Sequence, residues 1–297
     1  MSLSQPERAS ASVTNAMTVD VEDYFQVSAF EGVIDRSDWE RLPCRVERNT
    51  DHILELFDGH DVRATFFMLG WVAERYSGLV RRIVDAGHEL ASHGYSHVRV
   101  TQQSPQAFSE DVSKTRKLLE DMAGCEVQGY RAASYSIVNE TLWAHDLLQE
   151  AGYRYSSSVY PIHHDLYGIP EAPRFAYRHK DGGLLEIPVT TVSLFNHNLP
   201  CGGGGYFRLL PYRVSRWAMQ RVNGADHMPC VFYFHPWEID PGQPRQVGIS
   251  GKTRFRHYLN LGRMKTRVER LLEDFSWDRM DHVFLESPID GMDTALP

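Results

Sequence analysis

Short apolar runs alternate with amphipathic helical stretches along most of this chain, and that alternation restricts the fold more than any other feature. Residues 17–21, 63–69, 88–92, 153–159, 184–189 and 230–234 have the length and content of buried strands, and residues 127–136 read as another strand with its exit loop. Residues 50–59, 71–86, 105–124 and 141–150 carry apolar side chains at helical spacing between them. Ser104 and Pro105 suit the N-cap and first position of a helix, and Gly87, Gly124 and Gly152 suit helix ends. Strands separated by helices at this spacing pair in parallel, so an α/β fold built of βαβ units is expected. Further helices are expected at 211–222 and about 255–274, and a last strand at Phe284 and Leu285.

A chain of 297 residues has ample core for one large domain, and no repeat or linker interrupts it after residue 15. The domain is expected to run from residue 16 to 297. Residues 1–15 are polar and aperiodic and read as a disordered N-terminal segment. They lack the cationic start and apolar centre of a secretion signal, and no transmembrane segment is apparent, so a cytoplasmic location is expected. Cys44, Cys125, Cys201 and Cys230 are scattered and read as reduced thiols. The net charge is −8 and no basic run stands out, which argues against nucleic acid as a partner. An anionic polymer would require a local basic patch that the total charge does not reveal.

Chemistry concentrates where strands end. Residues 17–21 run into Asp20, Glu22 and Asp23, three carboxylates that repel and dehydrate one another unless a cation sits among them. His93 and His97 stand four apart, and on a helical turn their Cβ atoms would be about 5–6 Å apart, a workable bite for a divalent metal. Arg131 follows an apolar strand, either as a surface charge or as the partner of a buried carboxylate. His235 follows the strand at 230–234. Strand ends of a barrel-like sheet converge on one mouth. One carboxylate with two histidines is a three-ligand zinc set with an open position; a second carboxylate can serve as base and a separate histidine as acid. Gly202–Gly205 is not a phosphate-binding loop, because no Gly-Lys-Ser/Thr follows it.

The segments Thr18-Val19-Asp20-Val21-Glu22-Asp23, Ser92-His93-Gly94-Tyr95-Ser96-His97, Tyr130-Arg131-Ala132-Ala133-Ser134-Tyr135 and Tyr233-Phe234-His235 resemble, in order and spacing, the motifs of the polysaccharide deacetylases of carbohydrate esterase family four, the NodB-homology fold. Asp-Val-Glu-Asp-Tyr-Phe at 20–25, the glycine loop and residues 258–263 are similar to a bacterial subgroup associated with exopolysaccharide loci. The resemblance implies a distorted (β/α) barrel with fewer than eight strands, plus a C-terminal helical extension from about residue 240. It implies metal-dependent removal of N-acetyl groups from an amino-sugar-containing saccharide, in exopolysaccharide biosynthesis, with zinc as the expected divalent metal.

On that resemblance Asp20 is the base, Arg131 its partner and His235 the acid, and His93, His97 and one early carboxylate hold the metal. Strand alternation favours Glu22 for that place; a turn after Val21, the shorter side chain and the family's usual Asp favour Asp23, the preferred choice here. Ser134, Tyr135, Tyr206 and Trp237 are the expected substrate contacts. Three departures stand out: Asp-x-Glu-Asp replaces an adjacent Asp pair, Ala133 replaces a proline, and Ser156 replaces an Asp expected to orient the late histidine. Two alternatives accompany this reading, a metal-dependent amidohydrolase acting on a small cyclic amide or imide, and a non-catalytic carbohydrate-binding protein.

Overall fold

The computed structural model describes residues 13–164, 167–180 and 182–286. Its strands are β1 (Thr14–Val21), β2 (Thr65–Met68), β3 (Glu89–Ser92), β4 (Gly129–Tyr130), β5 (Tyr155–Ser156), β6 (Tyr177–Arg178), β7 (Leu185–Glu186), β8 (Thr191–Leu194), β9 (His197–Pro200), β10 (Val231–Phe234) and β11 (Ser276–Asp278). The helices are α1 (Val46–Asp58), α2 (Gly70–Arg75), α3 (Ser77–Asp85), α4 (Pro105–Ala123), α5 (Trp143–Glu150), α6 (Gly204–Leu209), α7 (Tyr212–Arg221), α8 (Gly251–Tyr258) and α9 (Leu261–Asp274).

The main sheet has the order β10-β1-β2-β3-β4-β5-β7-β6, with β11 also paired to β1. Seven strands from β10 to β7 run parallel, β6 is an antiparallel edge on β7, and the sheet is curled but open between β10 and β6. Strand alternation divides the core. Met17, Val19, Val21, Phe66, Met68, Leu90, Phe232 and Phe234 join one apolar cluster with helical residues such as Ile53, Phe57, Val80 and Leu119. Ala16, Phe67, Ala91, Tyr155 and Val231 face the other way, where Met280, Val283 and Phe284 of the C-terminal segment cover them. That inner face therefore carries Asp20 between Val19 and Val21. Among the described residues, no helix is long and apolar enough to cross a membrane.

Several boundaries differ from those read off the sequence. β1 starts at Thr14, and Asn15 is fully buried, its Oδ1 accepting from Cys230 N at 2.8 Å, so the N-terminal segment expected to be disordered does not extend to residue 15. Residues 1–12 lie outside the described residues. The helix expected over 71–86 breaks at Tyr76 (φ −130°, ψ 58°), and the one over 255–274 breaks at Asn260 (φ 54°) into α8 and α9. Among the described residues the last strand is β11, while Phe284 lies in a helical turn. α1 begins at Val46, four residues before the helix start expected at residue 50, because the Asp23 carboxylate accepts from the Arg45 and Val46 N–H groups.

Glu89, at the start of β3, lies at the opposite end of that strand from His93. It is buried and accepts hydrogen bonds from the Thr65 hydroxyl, Tyr155 Oη (2.9 Å) and Asp281 N (3.2 Å). Burial pushes its carboxyl well above the usual range, and Asp281 adds to the shift. The folded state therefore holds a proton that the unfolded state has released. Stability is greatest where both states are protonated, at acid pH, and falls as pH rises from the unfolded pKa through neutrality. Glu89→Gln should flatten that fall; melting temperatures from about pH 6 to about pH 8 test it, and equal slopes in both proteins would refute it.

Candidate active site

Parallel pairing brings the C-terminal ends of β1, β3, β4 and β10 to one side of the sheet. Asp20 and Glu22 leave β1 there, His93 and His97 follow β3, Arg131 follows β4 and His235 follows β10. Asp20, Glu22, His93, His97 and His235 line one cleft of about 520 Å³.

Among the described residues, one group of three metal-ligating side chains forms: Glu22, His93 and His97, all buried, each with a ligand atom within 4.8 Å of the others. His93 Nδ1 lies 2.8 Å from the Arg131 carbonyl, which accepts its proton and leaves Nε2 as the lone-pair nitrogen. Glu22 Oε2 lies 3.0 Å from His97 Nε2, yet this buried oxygen has no aligned hydrogen-bond partner. A buried carboxylate oxygen without a donor is costly, and a cation shared with the two imidazoles removes that cost. The donor set thus fits a divalent metal. Burial opposes ionisation of Glu22, but the charges of His97 and His235 outweigh it and hold the carboxyl at about 2. Burial pushes His93 down to about 4, which keeps its ring neutral, the form that ligates.

Asp23 does not face the histidines, contrary to the preference drawn from the sequence. Its Oδ1 accepts from Tyr24 N (2.8 Å), and its Oδ2 accepts from Arg45 N and Val46 N (2.8 Å). It caps the start of α1, and two orphan N–H groups of that helix hold it away from the cleft. The chain does turn after Val21, with Glu22 N donating to Asp20 O at 3.0 Å, but the turn aims Glu22 at the histidines instead.

Arg131 is fully buried. Its Nη1 donates to Asp20 Oδ1 (2.6 Å) and Thr18 Oγ1 (2.8 Å), its Nη2 to Ser157 Oγ (3.0 Å) and its Nε to Ser157 O (3.1 Å). The Ser157 segment is held in turn by Glu186, whose Oε1 accepts from Ser158 N and Val159 N. Asp20 Oδ2 remains directed towards His235, 3.9 Å from its Nε2.

Ser156 does not approach His235; its hydroxyl bonds Ser158 Oγ at 2.8 Å. The carboxylate on His235 is Glu238, which the sequence reading missed. Its Oε1 accepts from His235 Nδ1 (2.8 Å) and from the His235 backbone N–H (3.2 Å), and its Oε2 accepts from Arg208 Nε (2.6 Å). Burial works against a charged His235, but Glu22, Glu238 and Asp20 outweigh it and hold the ring at about 9. The readable signal was His-x-x-Glu, a spacing that lets a short turn fold the carboxylate back onto the ring. The same contact explains the glycine loop. A Cβ on Gly204 would lie 2.3 Å from Glu238 Oε1, and one on Gly203 would lie 2.6 Å from the Tyr233 ring. Because Glu238 is pinned on both oxygens, Gly204→Ala should leave a folded protein with a displaced Glu238 and turnover reduced by about tenfold or more. Wild-type kcat with an unchanged melting temperature would show that the carboxylate can give way.

Ser134, Tyr135 and Trp237 line the cleft. Ser134 and Tyr135 have left-handed backbones (φ 53° and 52°), and Tyr135 N donates to Ala132 O at 3.1 Å. Tyr206 lines instead a neighbouring cleft of about 340 Å³ with Asn196 and Asn198 of the β8–β9 hairpin.

Residues 38–156 match the polysaccharide deacetylase family, and residues 157–285 match a family described only as a domain of unknown function, DUF3473. His93, His97 and Arg131 fall in the first segment; His235, Glu238 and the glycine loop fall in the second. The peptidoglycan-N-acetylglucosamine deacetylase of Bacillus cereus is 33% identical over 96 residues, 32% of this chain and 35% of that protein. The peptidoglycan deacetylase of Helicobacter pylori is 33% identical over 113 residues, 38% of this chain and 37% of that protein. The match therefore spans about a third of the length of these relatives. A Mycobacterium smegmatis crystal structure, provisionally called a polysaccharide deacetylase, superposes with a TM-score of 0.61 at 20% identity, covering 99% of this chain and 98% of that one, a likeness of fold.

Proposed function

We propose that this chain hydrolyses N-acetyl groups from an amino-sugar-containing saccharide, a reading supported by the match of residues 38–156 to the polysaccharide deacetylase family. The observation that carries the reading is the meeting of three separate devices in one cleft: the Glu22/His93/His97 group, the Asp20–Arg131 pair and the His235–Glu238 pair. Glu22, His93 and His97 would hold the metal, and nitrogen with carboxylate donors suits zinc. A metal there would act as a Lewis acid towards the acetyl carbonyl and promote ionisation of water.

The chain's own residues then divide the proton work. Asp20, with Oδ1 fixed by Arg131, takes the proton of the attacking water at Oδ2. Water's oxygen forms the new bond to the acetyl carbon. His235 Nε2 delivers a proton to the departing amine as the carbon–nitrogen bond breaks, leaving acetate and a free amino sugar. Glu238 keeps the His235 Nδ1 proton in place, so that Nε2 is the nitrogen facing Glu22 and Asp20. Trp237 stacks on the His235 ring (5.2 Å, 17°), and its Nε1 lies 3.3 Å from Glu22 Oε1. The patterns at 20–25, 202–207 and 258–263 support a place in exopolysaccharide biosynthesis.

Acetate release from N-acetylated oligosaccharides tests the reading. It should be abolished by a chelator and restored by zinc; release that persists in fully metal-stripped protein would overturn the metal role.

A further inference from the structure

The β8–β9 hairpin is an arm whose tip is not explained by folding. Its base is fixed: Val192 is buried, and Cys201 N and Gly202 N donate to Thr190 O at 3.3 and 3.1 Å. Its two strands form a sheet of their own, and the loop between them is the dipeptide Phe195-Asn196. Both residues have left-handed backbones (φ 51° and 60°), the conformation of a tight hairpin turn that favours Asn and Gly. Asn196 suits it. Phe195 does not, because a bulky side chain is crowded by its own backbone at positive φ. Packing gives nothing in return: Phe195 is 88% exposed, more than any other large apolar side chain among the described residues. Backbone strain of this kind persists where function holds the residue in place.

The arm borders a recess beside the catalytic cleft. The cleft of about 340 Å³ that Tyr206 lines is bounded by β9 along its whole length and by Asn196 of the turn. Such a volume lies within the usual range of ligand sites, about 300–1,000 Å³. Gly205, the neighbour of Tyr206 in α6, lines the catalytic cleft, so the start of α6 is a wall common to both. The two-residue loop makes Leu194 and His197 the hydrogen-bonded closing pair of the hairpin. The next pair, Ser193 and Asn198, is then non-hydrogen-bonded, and Asn198 directs its backbone N–H and C=O outwards from the β9 edge. The side-chain amides of Asn196 and Asn198 also make no hydrogen bond among the described residues. No Asp, Glu, Lys or Arg is among the described residues that line the recess. Free amides and an open strand edge with no formal charge suit hydroxyls and acetamides, and the faces of Tyr206 and Phe195 suit the C–H face of a sugar ring.

We infer that the β8–β9 hairpin and its recess form a second saccharide subsite, which binds a neutral sugar unit further along the chain whose N-acetylated unit lies in the catalytic cleft. The substrate is then a glycan chain and not a single amino sugar. The inference rests on the deacetylase reading but can fail separately from it. Tyr206, Asn196 and Asn198 contact the distal unit, and Phe195 packs on it at the open end of the recess. Contacts remote from the reacting acetamide act alike on bound substrate and transition state, so their effect appears in KM.

The experiment compares the disaccharide and the hexasaccharide of N-acetylglucosamine on the zinc-loaded full chain, by acetate release per acetyl group and by calorimetric binding. The hexasaccharide should have a kcat/KM higher by about tenfold or more, mainly through KM, with a matching gain in affinity. Phe195→Gly and Asn198→Ala should each remove most of that gain. Phe195→Gly should at the same time keep or raise the melting temperature, because glycine relieves the positive φ; a residue held for folding would lower it. Equal affinity and equal kcat/KM for the two lengths, or a gain with length that both variants leave intact, overturns the subsite. A wild-type chain that sediments as a dimer beside a monomeric Phe195→Gly, with the gain unchanged, overturns it in favour of a contact between copies. If neither oligomer releases acetate, the deacetylase reading falls. Calorimetry then decides the subsite alone: tighter binding of the hexasaccharide, lost in both variants, upholds it, and equal binding of the two lengths overturns it.

Discussion

Glu22→Ala should purify as a folded protein without bound metal and without acetate release, whereas Asp23→Ala should keep its metal and lose stability. The two carboxylates are adjacent in the chain, but their surroundings differ. Glu22 Oε2 is buried 3.0 Å from His97 Nε2 without an aligned hydrogen bond, an arrangement that a shared cation completes. Removing one of three ligands from an open site should reduce metal affinity by orders of magnitude, about as much as loss of His97. Asp23 instead accepts three backbone N–H groups, two of them from the start of α1. Its truncation removes a cap and should cost about 1–2 kcal/mol. Metal content by mass spectrometry, with melting temperature, reads both effects. A metal-replete Glu22→Ala beside a metal-free Asp23→Ala would reverse the assignment.

His235→Ala should keep its metal and lose about 10²-fold or more in kcat, because a proton donor acts in the transition state and not in coordination. Glu238→Gln should reproduce most of that loss with little change in KM. The neutral amide can still meet one partner but cannot hold the imidazolium as a carboxylate does, and it leaves Arg208 buried without its counter-charge. If Glu238 acts through His235, the double variant should be no slower than His235→Ala alone. A structural role for Glu238 would instead add its own loss to the double variant and leave the pH profile of kcat in the same place. Glu238→Asp, with the carboxylate one methylene shorter, should recover part of the activity lost in Glu238→Gln; no recovery would count against a charge-based role.

Local pattern determined much of this protein. The alternation of apolar runs and amphipathic stretches is a property of neighbouring residues, and it marked the parallel strands and the ends at which Asp20, His93, His97, Arg131 and His235 stand. Ser104, Pro105 and Gly124 bounded α4 for the same reason: a cap, a fixed φ and a left-handed stop act within a few residues. What the tertiary structure alone decided depended on partners distant in sequence. α1 starts at Val46 because Asp23 reaches its first N–H groups, and that one contact also takes Asp23 out of the cleft and leaves Glu22 beside the histidines. The glycine loop has its meaning only beside Glu238 and Tyr233. The orientation of α8 was set by its anchors Arg208 and Trp237, since burial and packing, not spacing along the chain, decide which way a surface helix faces.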